Sequence, residues 1–353
     1  MKRKRFLQSV LGAAATFPLF RSTASAQTNS SNQKVGEEIQ SRAPLPALPE
    51  GAWSLVALPD TQAMSLRFPK VFRHQTEWIA AQRETYQIHF VVHEGDIVDR
   101  NTHPEWLNAR HAIDALVDAR IPFSLLPGNH DLGRWGRTDD RSSLMSEYFH
   151  FGDYRNSAKV GYFERGQIEN TWHEVNVPTG KLLVLSLEFG PRDLVLDWAN
   201  TVVAERPDFD VIVVTHAYLY HDGTRYDWAK KGKEQTWNPK DYPLGKQPGG
   251  VNDAEEMWTK FVSRHGNIRF VLSGHVLKNG TGYLISEGAH GNRVHQILAN
   301  YQAGVVPDRG FGGAGFLRLM HFLPDHQTVQ VKTYSPWYDQ WLVEPEHQFT
   351  VTL

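Results

Sequence analysis

Five apolar runs in this chain each end on residues that bind metals or move protons. WSLVALPD (53–60) runs into Asp60-Thr61-Gln62, and IHFVVHEGD (88–96) ends in Gly95-Asp96. PFSLLPGNHD (122–131) ends in Gly128-Asn129-His130-Asp131. DVIVVTHAY (210–218) carries Thr215-His216, and IRFVLSGH (268–275) ends in Gly274-His275. Short apolar runs bounded by turn residues read as buried strands. Helical spacing fills intervals between them, at Lys70 to Tyr86, His103 to Arg120, Asp193 to Arg206 and Asp253 to His265. Strands alternating with helices imply a sheet covered by helices. In open α/β sheets the strand ends converge on one crevice, and ligands bind there. Taken singly, a strand-end His is usually a hydrogen-bonded surface residue and a Gly-Asp a turn. Five such endings in chain order favour a site.

The pattern loosens downstream. KLLVLSLE (181–188) reads as a further strand. After residue 275 helical spacing stops, and YLISE, VHQILANY, FLRLMHF, QTVQVKTYS and HQFTVTL read as strands closing the fold as a second sheet. The β-rich segment 300–353 is expected to complete that second sheet. Residues 219–251 are polar and aromatic with little periodicity, too long for an ordinary connection and too rich in Trp and Tyr for disorder, so they read as a functional loop.

The N-terminus reads as an export signal over residues 1–26. MKRKR is a basic start, VLGAAATFPLF an apolar stretch too short to span a bilayer, and Ala24-Ser25-Ala26 a cleavage site. Arg3-Lys4-Arg5-Phe6-Leu7 is similar to a twin-arginine signal with Lys in one paired position; a general secretory signal is the alternative. The expectation is a periplasmic or extracellular protein with no membrane span. Residues 27–50, polar and then Pro-rich, read as a linker to one domain over 51–353.

Charge and cysteine content narrow the chemistry. The signal holds five of the 37 basic residues and no acidic one, which leaves 32 basic against 39 acidic, a net of about −7. A nucleic-acid backbone is therefore not expected as the main partner. There is no Cys. Disulfides, thiol catalysis and thiolate metal sites are excluded, and any metal must be held by His, Asp, Glu, Asn or Gln.

The series Asp60…Gly95-Asp96…Gly128-Asn129-His130-Asp131…His216…Gly274-His275 resembles the calcineurin-like metallophosphoesterase superfamily over roughly residues 51–335. The resemblance implies an α/β fold, a four-layer αββα sandwich of two mixed β-sheets flanked by helices. It implies Asp96 as a carboxylate bridging two metals, Asn129, His216 and His275 at one metal, and Asp60 at the other. It further implies His130 as general acid or charge stabiliser at the leaving group, oriented by Asp131. Divalent metals suit phosphate-ester hydrolysis because they offset charge on the phosphoryl oxygens and acidify water.

Two positions depart from the family pattern. Gln62 stands where the first motif usually has His, and Leu277 where the last does. Both missing imidazoles serve the metal bound by Asp60. Either one metal remains, or the depleted site takes a harder ion on oxygen ligands, with the Gln62 carbonyl and nearby His93, Glu94 or Asp99 as helpers. One or two divalent ions are expected, with Mn, Zn, Fe, Mg and Ca not distinguished. For substrate, Tyr218, Tyr220, Arg225, Tyr226 and Trp237 are candidate pocket walls, Arg225 as an anion clamp and the aromatics as stacking surfaces. His290 and Asn292 are candidates for the same cleft. The expected activity is hydrolysis of a phosphodiester or phosphomonoester. The alternatives are metal-dependent action on a non-phosphate carbohydrate and a catalytically inactive binding protein.

Overall fold

The first strand, β1 (Trp53–Leu58), is buried along its whole length, and the two faces of its pleat enter different cores. Leu55 and Ala57 join a cluster with Val184, Ile212, Val214 and Leu272. Val56 and Leu58 join one with Phe72, Ile79, Trp106 and Ile113. A strand covered on both faces reads as a nearly continuous apolar run, which is the pattern in WSLVAL. The computed structural model describes residues 47–302 and 311–353. These belong to one compact unit. The export signal and residues 27–46 of the linker lie outside the described residues.

Two mixed sheets stack face to face. In the first, β1, β2 (Ile88–His93) and β3 (Phe123–Ser124) are parallel neighbours. The second begins with antiparallel β4 (Lys159–Tyr162), β5 (Thr171–Val177) and β6 (Gly180–Leu187). It continues through parallel β7 (Asp210–Thr215) and β8 (Ile268–Ser273). Its far edge is a hairpin, β9 (Thr281–Glu287) with β10 (Arg293–Ala299), and β10 lies parallel to β8. The chain then returns to the first sheet as β11 (Leu317–Phe322), β12 (Thr328–Ser335), β13 (Gln340–Leu342) and β14 (Phe349–Thr352).

That return corrects the expectation for 300–353. The segment completes the first sheet, while only the β9–β10 hairpin joins the second. The reason lies in β1, whose second edge would otherwise leave backbone groups buried and unpaired. β11 pairs with it antiparallel, Leu55 opposite Met320.

The outer layers are helical. α1 (Gln62–Arg67), α2 (Pro69–Ala81) and α3 (His103–Asp118) belong to the first-sheet side, where α2 and α3 pack on the outer cluster. α4 (Met145–Tyr148) follows a crossover turn. α5 (Asp193–Ala204) and α7 (Ala254–Lys260) cover the second sheet, packing Val195, Leu196, Ala199 and Met257 on Leu185, Val211 and Val213. α6 (Trp228–Lys231) sits within the 219–251 loop. The result is the expected αββα sandwich. Two elements are shorter than the sequence suggests. α2 stops at Ala81 because the chain turns there to bring the Gln87 carbonyl to Ser54 N–H, at 2.8 Å. β3 keeps only two residues, since Pro127 offers no N–H to a ladder and the chain must curl around Asp96. No helix among the described residues is long and apolar enough to cross a membrane.

Candidate metal centre

The parallel strands β1, β2, β3, β7 and β8 all point their C-terminal ends at one place. Three residues there, Asp60, Asp96 and His275, are non-glycine residues with φ of +43°, +52° and +75°. Such left-handed backbone costs energy and persists where the surroundings over-determine it, often at functional sites. Two glycines make the crowding possible. A Cβ on Gly128 would collide with the backbone and carboxylate of Asp96, and one on Gly274 with the Asp60 carboxylate.

Asp96, His216 and His275 converge, their potential ligand atoms all within 4.8 Å of one another, and all three are buried. It is the one such group of His, Asp and Glu among the described residues. His216 Nε2 lies 3.2 Å from Asp96 Oδ1, 3.2 Å from Asn129 Oδ1 and 3.2 Å from His275 Nδ1. Backbone carbonyls fix both tautomers from outside. His216 Nδ1–H donates to the Glu94 carbonyl at 2.7 Å, and His275 Nε2–H donates to that of Trp237 at 2.8 Å. In their neutral forms both ring nitrogens that face inward are therefore lone pairs, as metal-binding imidazoles require. Four acceptors facing one another repel unless a cation lies between them. For metal–ligand bonds of about 2.0–2.2 Å, neighbouring ligands stand about 2.8–3.6 Å apart across octahedral to tetrahedral arrangements, and 3.2 Å falls in that range. The donor set fits a divalent ion.

The electrostatics point the same way. Burial alone would lower the His216 pKa, but Asp96 and Asp60 more than offset it and push it up to about 9. A proton at His216 Nε2 would supply the positive charge the cluster asks for. Burial would raise Asp96, yet His216 and His130 hold it well below the usual carboxylate range. Burial lowers His275 to about 3, with His216 adding to the effect, so this ring stays neutral. Burial pushes Asp60 up to about 8, with Asp96 repelling it further.

His130 stands at the edge of the cluster with 38% of its side chain exposed. Its backbone N–H donates to Asp96 Oδ1 at 2.9 Å, and its Nδ1–H donates to the Asp99 carbonyl at 2.9 Å. Among the described residues Nε2 has no hydrogen-bond partner. Burial would lower the His130 pKa, but Asp96 and then Asp99 raise it overall, so the ring tends to hold a proton it can give away.

Several expected roles change. Asp131 does not orient His130. Its Oδ2 accepts from Ile97 N–H at 3.0 Å and Gly128 N–H at 2.8 Å, and its Oδ1 from Val98 N–H at 2.8 Å. It pins the Asp96 loop to the Asn129 loop, and Asp99 orients the imidazole. Asp60 turns both oxygens to His275 N–H, at 3.2 and 3.1 Å, rather than joining the cluster. Gln62 presents its amide nitrogen to Asp96 Oδ2 at 3.0 Å. His93, buried in β2, bonds Thr61 Oγ1 at 3.0 Å.

Arg225 is not free to clamp an anion. It donates to Glu255 at 2.7 Å, Ser286 at 2.9 Å and Gln296 at 3.0 Å, and lies over Trp258. Tyr218 and Tyr226 are fully buried, Tyr226 with its ring 6.1 Å from that of His275, so they back the site rather than line it. Tyr220 is buried as well, its hydroxyl at 3.1 Å from that of Thr236. His290 and Asn292 sit at the opposite end of β8, bonded to the carbonyls of Arg264 and of His265 and Ile268. Trp237 meets the centre through its carbonyl, which accepts from His275 Nε2–H. Phe189 and Tyr242, whose rings lie 5.5 and 6.2 Å from His275, belong to no motif of the series. Nor does Trp135, 56% exposed at φ +61°, which lines a groove with Arg100, His103 and Arg134. An exposed Trp four residues after the Asp of GNHD was the available signal.

Comparison with known proteins gives three findings. Residues 57–279 match the family model described as calcineurin-like phosphoesterase. The chain is 30% identical over 291 residues to the protein YvnB of Bacillus subtilis (strain 168), a match covering 81% of this chain and 20% of that protein. The chain thus spans about one fifth of that relative's length. Two solved structures align over most of the chain at low similarity. A dimetal phosphatase from Danio rerio has 12% identity and a TM-score of 0.45, covering 85% of this chain and 98% of that one. GAP50 of Plasmodium, an anchor in the inner membrane complex, has 11% identity and a TM-score of 0.38, covering 86% and 88%.

Proposed function

This chain belongs to the calcineurin-like phosphoesterase family, and from that premise we propose that it is an exported, metal-dependent phosphoester hydrolase with His130 as general acid. The observation that carries this is the inward-facing set of His216 Nε2, His275 Nδ1, Asp96 Oδ1 and Asn129 Oδ1, with His130 exposed at its edge. A divalent ion there would offset phosphoryl charge and acidify water. The residues supply the rest. The Glu94 and Trp237 carbonyls hold the imidazoles in register. Asp99 holds His130 Nδ1, which leaves Nε2 as the nitrogen that would protonate a departing alkoxide.

A diester fits better than a monoester. The groove lined by Arg100, Arg134 and exposed Trp135, in which Arg100 follows the Asp99 that holds His130 Nδ1, is the candidate surface for a second ester arm. The support for export is the basic start, short apolar stretch and Ala-x-Ala site of residues 1–26. The test is turnover of bis-nitrophenyl and mononitrophenyl phosphate by the metal-loaded protein and its His130→Ala variant. The variant is expected to lose about 10²–10⁴-fold in turnover with its metal content unchanged. Full activity in the variant, or binding without turnover of either ester in the native protein, would remove the reading.

A further inference from the structure

Asp96 uses its two oxygens differently. Oδ1 faces the His216, His275 and Asn129 cluster, while Oδ2 accepts a hydrogen bond from Gln62 Nε2 at 3.0 Å. A carboxylate bridges two ions either through both oxygens, one ion each, or through one oxygen, and Oδ1, which already accepts His130 N–H at 2.9 Å, has one lone pair left for an ion. Here the second oxygen already has a neutral N–H donor. The other Gln62 Nε2–H goes to Gln302 Oε1 at 2.9 Å, so both amide hydrogens are engaged. Gln62 is 2% exposed and opens α1, directly after Thr61, whose hydroxyl is tied to His93 and to the Ile97 carbonyl. The side chain has little freedom to leave.

Among the described residues the other groups on that side complete no second set of three His, Asp or Glu ligands, and the oxygens left over there are the buried, unpaired Gln62 Oε1 and Glu94 Oε2. Asp60 turns its oxygens to His275 N–H, and Leu277 carries no ligand atom. An ion at about 2.1 Å from Asp96 Oδ2 would meet amide hydrogens, and an amide nitrogen has no lone pair to offer it. Resting on the metallohydrolase reading above, we infer that Gln62 stands in the place of the second ion. The centre holds one divalent cation, Asp96 is a terminal ligand, and Gln62 is a positioning residue that fixes the second Asp96 oxygen.

The test is metal stoichiometry of the full chain, stripped by chelator, reloaded with Mn²⁺ alone and desalted. Mass spectrometry and electron paramagnetic resonance read the outcome. The native protein should retain one Mn²⁺ per chain with the spectrum of an isolated ion. Gln62→Glu keeps the shape but replaces the donor with a carboxylate facing Asp96. It should retain close to two, a twofold rise, with an exchange-coupled signal. Two ions in the native protein would overturn the inference while leaving the hydrolase reading intact. One ion in Gln62→Glu, in a variant with a native circular dichroism spectrum, would also overturn it. No ion in the native protein would remove both.

Discussion

Three backbone N–H groups converge on the Asp131 carboxylate. The string GNHD names a ligand, an imidazole and an acid, and adjacency suggests that the acid serves the imidazole. The acid instead accepts three backbone N–H groups from residues 97, 98 and 128. The group that turns His130 is the carbonyl of Asp99, on a different strand end. Such pairings are set by which loops meet, and no local spacing encodes them. An Asn at position 131 keeps one acceptor oxygen and sets an NH₂ against a backbone N–H. Asp131→Asn should therefore lose about 1–3 kcal/mol of stability, read as a lower urea midpoint at unchanged slope. The folded fraction should lose far less turnover than His130→Ala. A variant as stable as the native protein but as inactive as His130→Ala would return Asp131 to the imidazole.

At the level of elements, the strands were legible because each parallel strand is covered on both faces and reads as an apolar run ending in turn residues. Their distribution between sheets was not, because β11 finds β1 across more than 250 residues, through edge pairing that leaves no mark in either segment. The 219–251 loop misled for a related reason. Its aromatics and Arg225 look like a ligand wall in one dimension, but their partners are Glu255, Ser286 and Gln296. Arg225 fastens the loop to α7 and to the β9–β10 hairpin. Arg225→Ala should lower the melting temperature by a few degrees, with KM for anionic esters unchanged. A raised KM at an unchanged melting temperature would show that the guanidinium meets substrate after all.

At the scale of the whole molecule, the two-sheet core carries buried imidazoles that make stability depend on pH. His173, in β5, is fully buried against Phe90 and Tyr154, with its nitrogens bonded to Ser157 and Thr171. Burial lowers its pKa to about 3, whereas in the unfolded chain it titrates near the usual value of about 6.5. Between those values the unfolded state binds the extra proton. The contribution is therefore complete above about pH 6.5 and falls away as the solution is acidified, by about 2 kcal/mol at pH 5. His173→Gln, which keeps hydrogen-bonding capacity without the titration, should flatten the loss of stability between pH 7 and pH 5 by about that amount. An unchanged pH slope in the variant would refute it. The same architecture also sets an order in time. Asp96 and Asn129 hang from the first sheet and His216 and His275 from the second, while β1, beside them, has its far edge open until residues 317–322 arrive. During synthesis the ligands are made long before the strand that steadies their neighbour. Contacts so distant along the chain form slowly. Ion capture is thus expected late, after the first sheet has closed, as the mark of a finished assembly and not its seed.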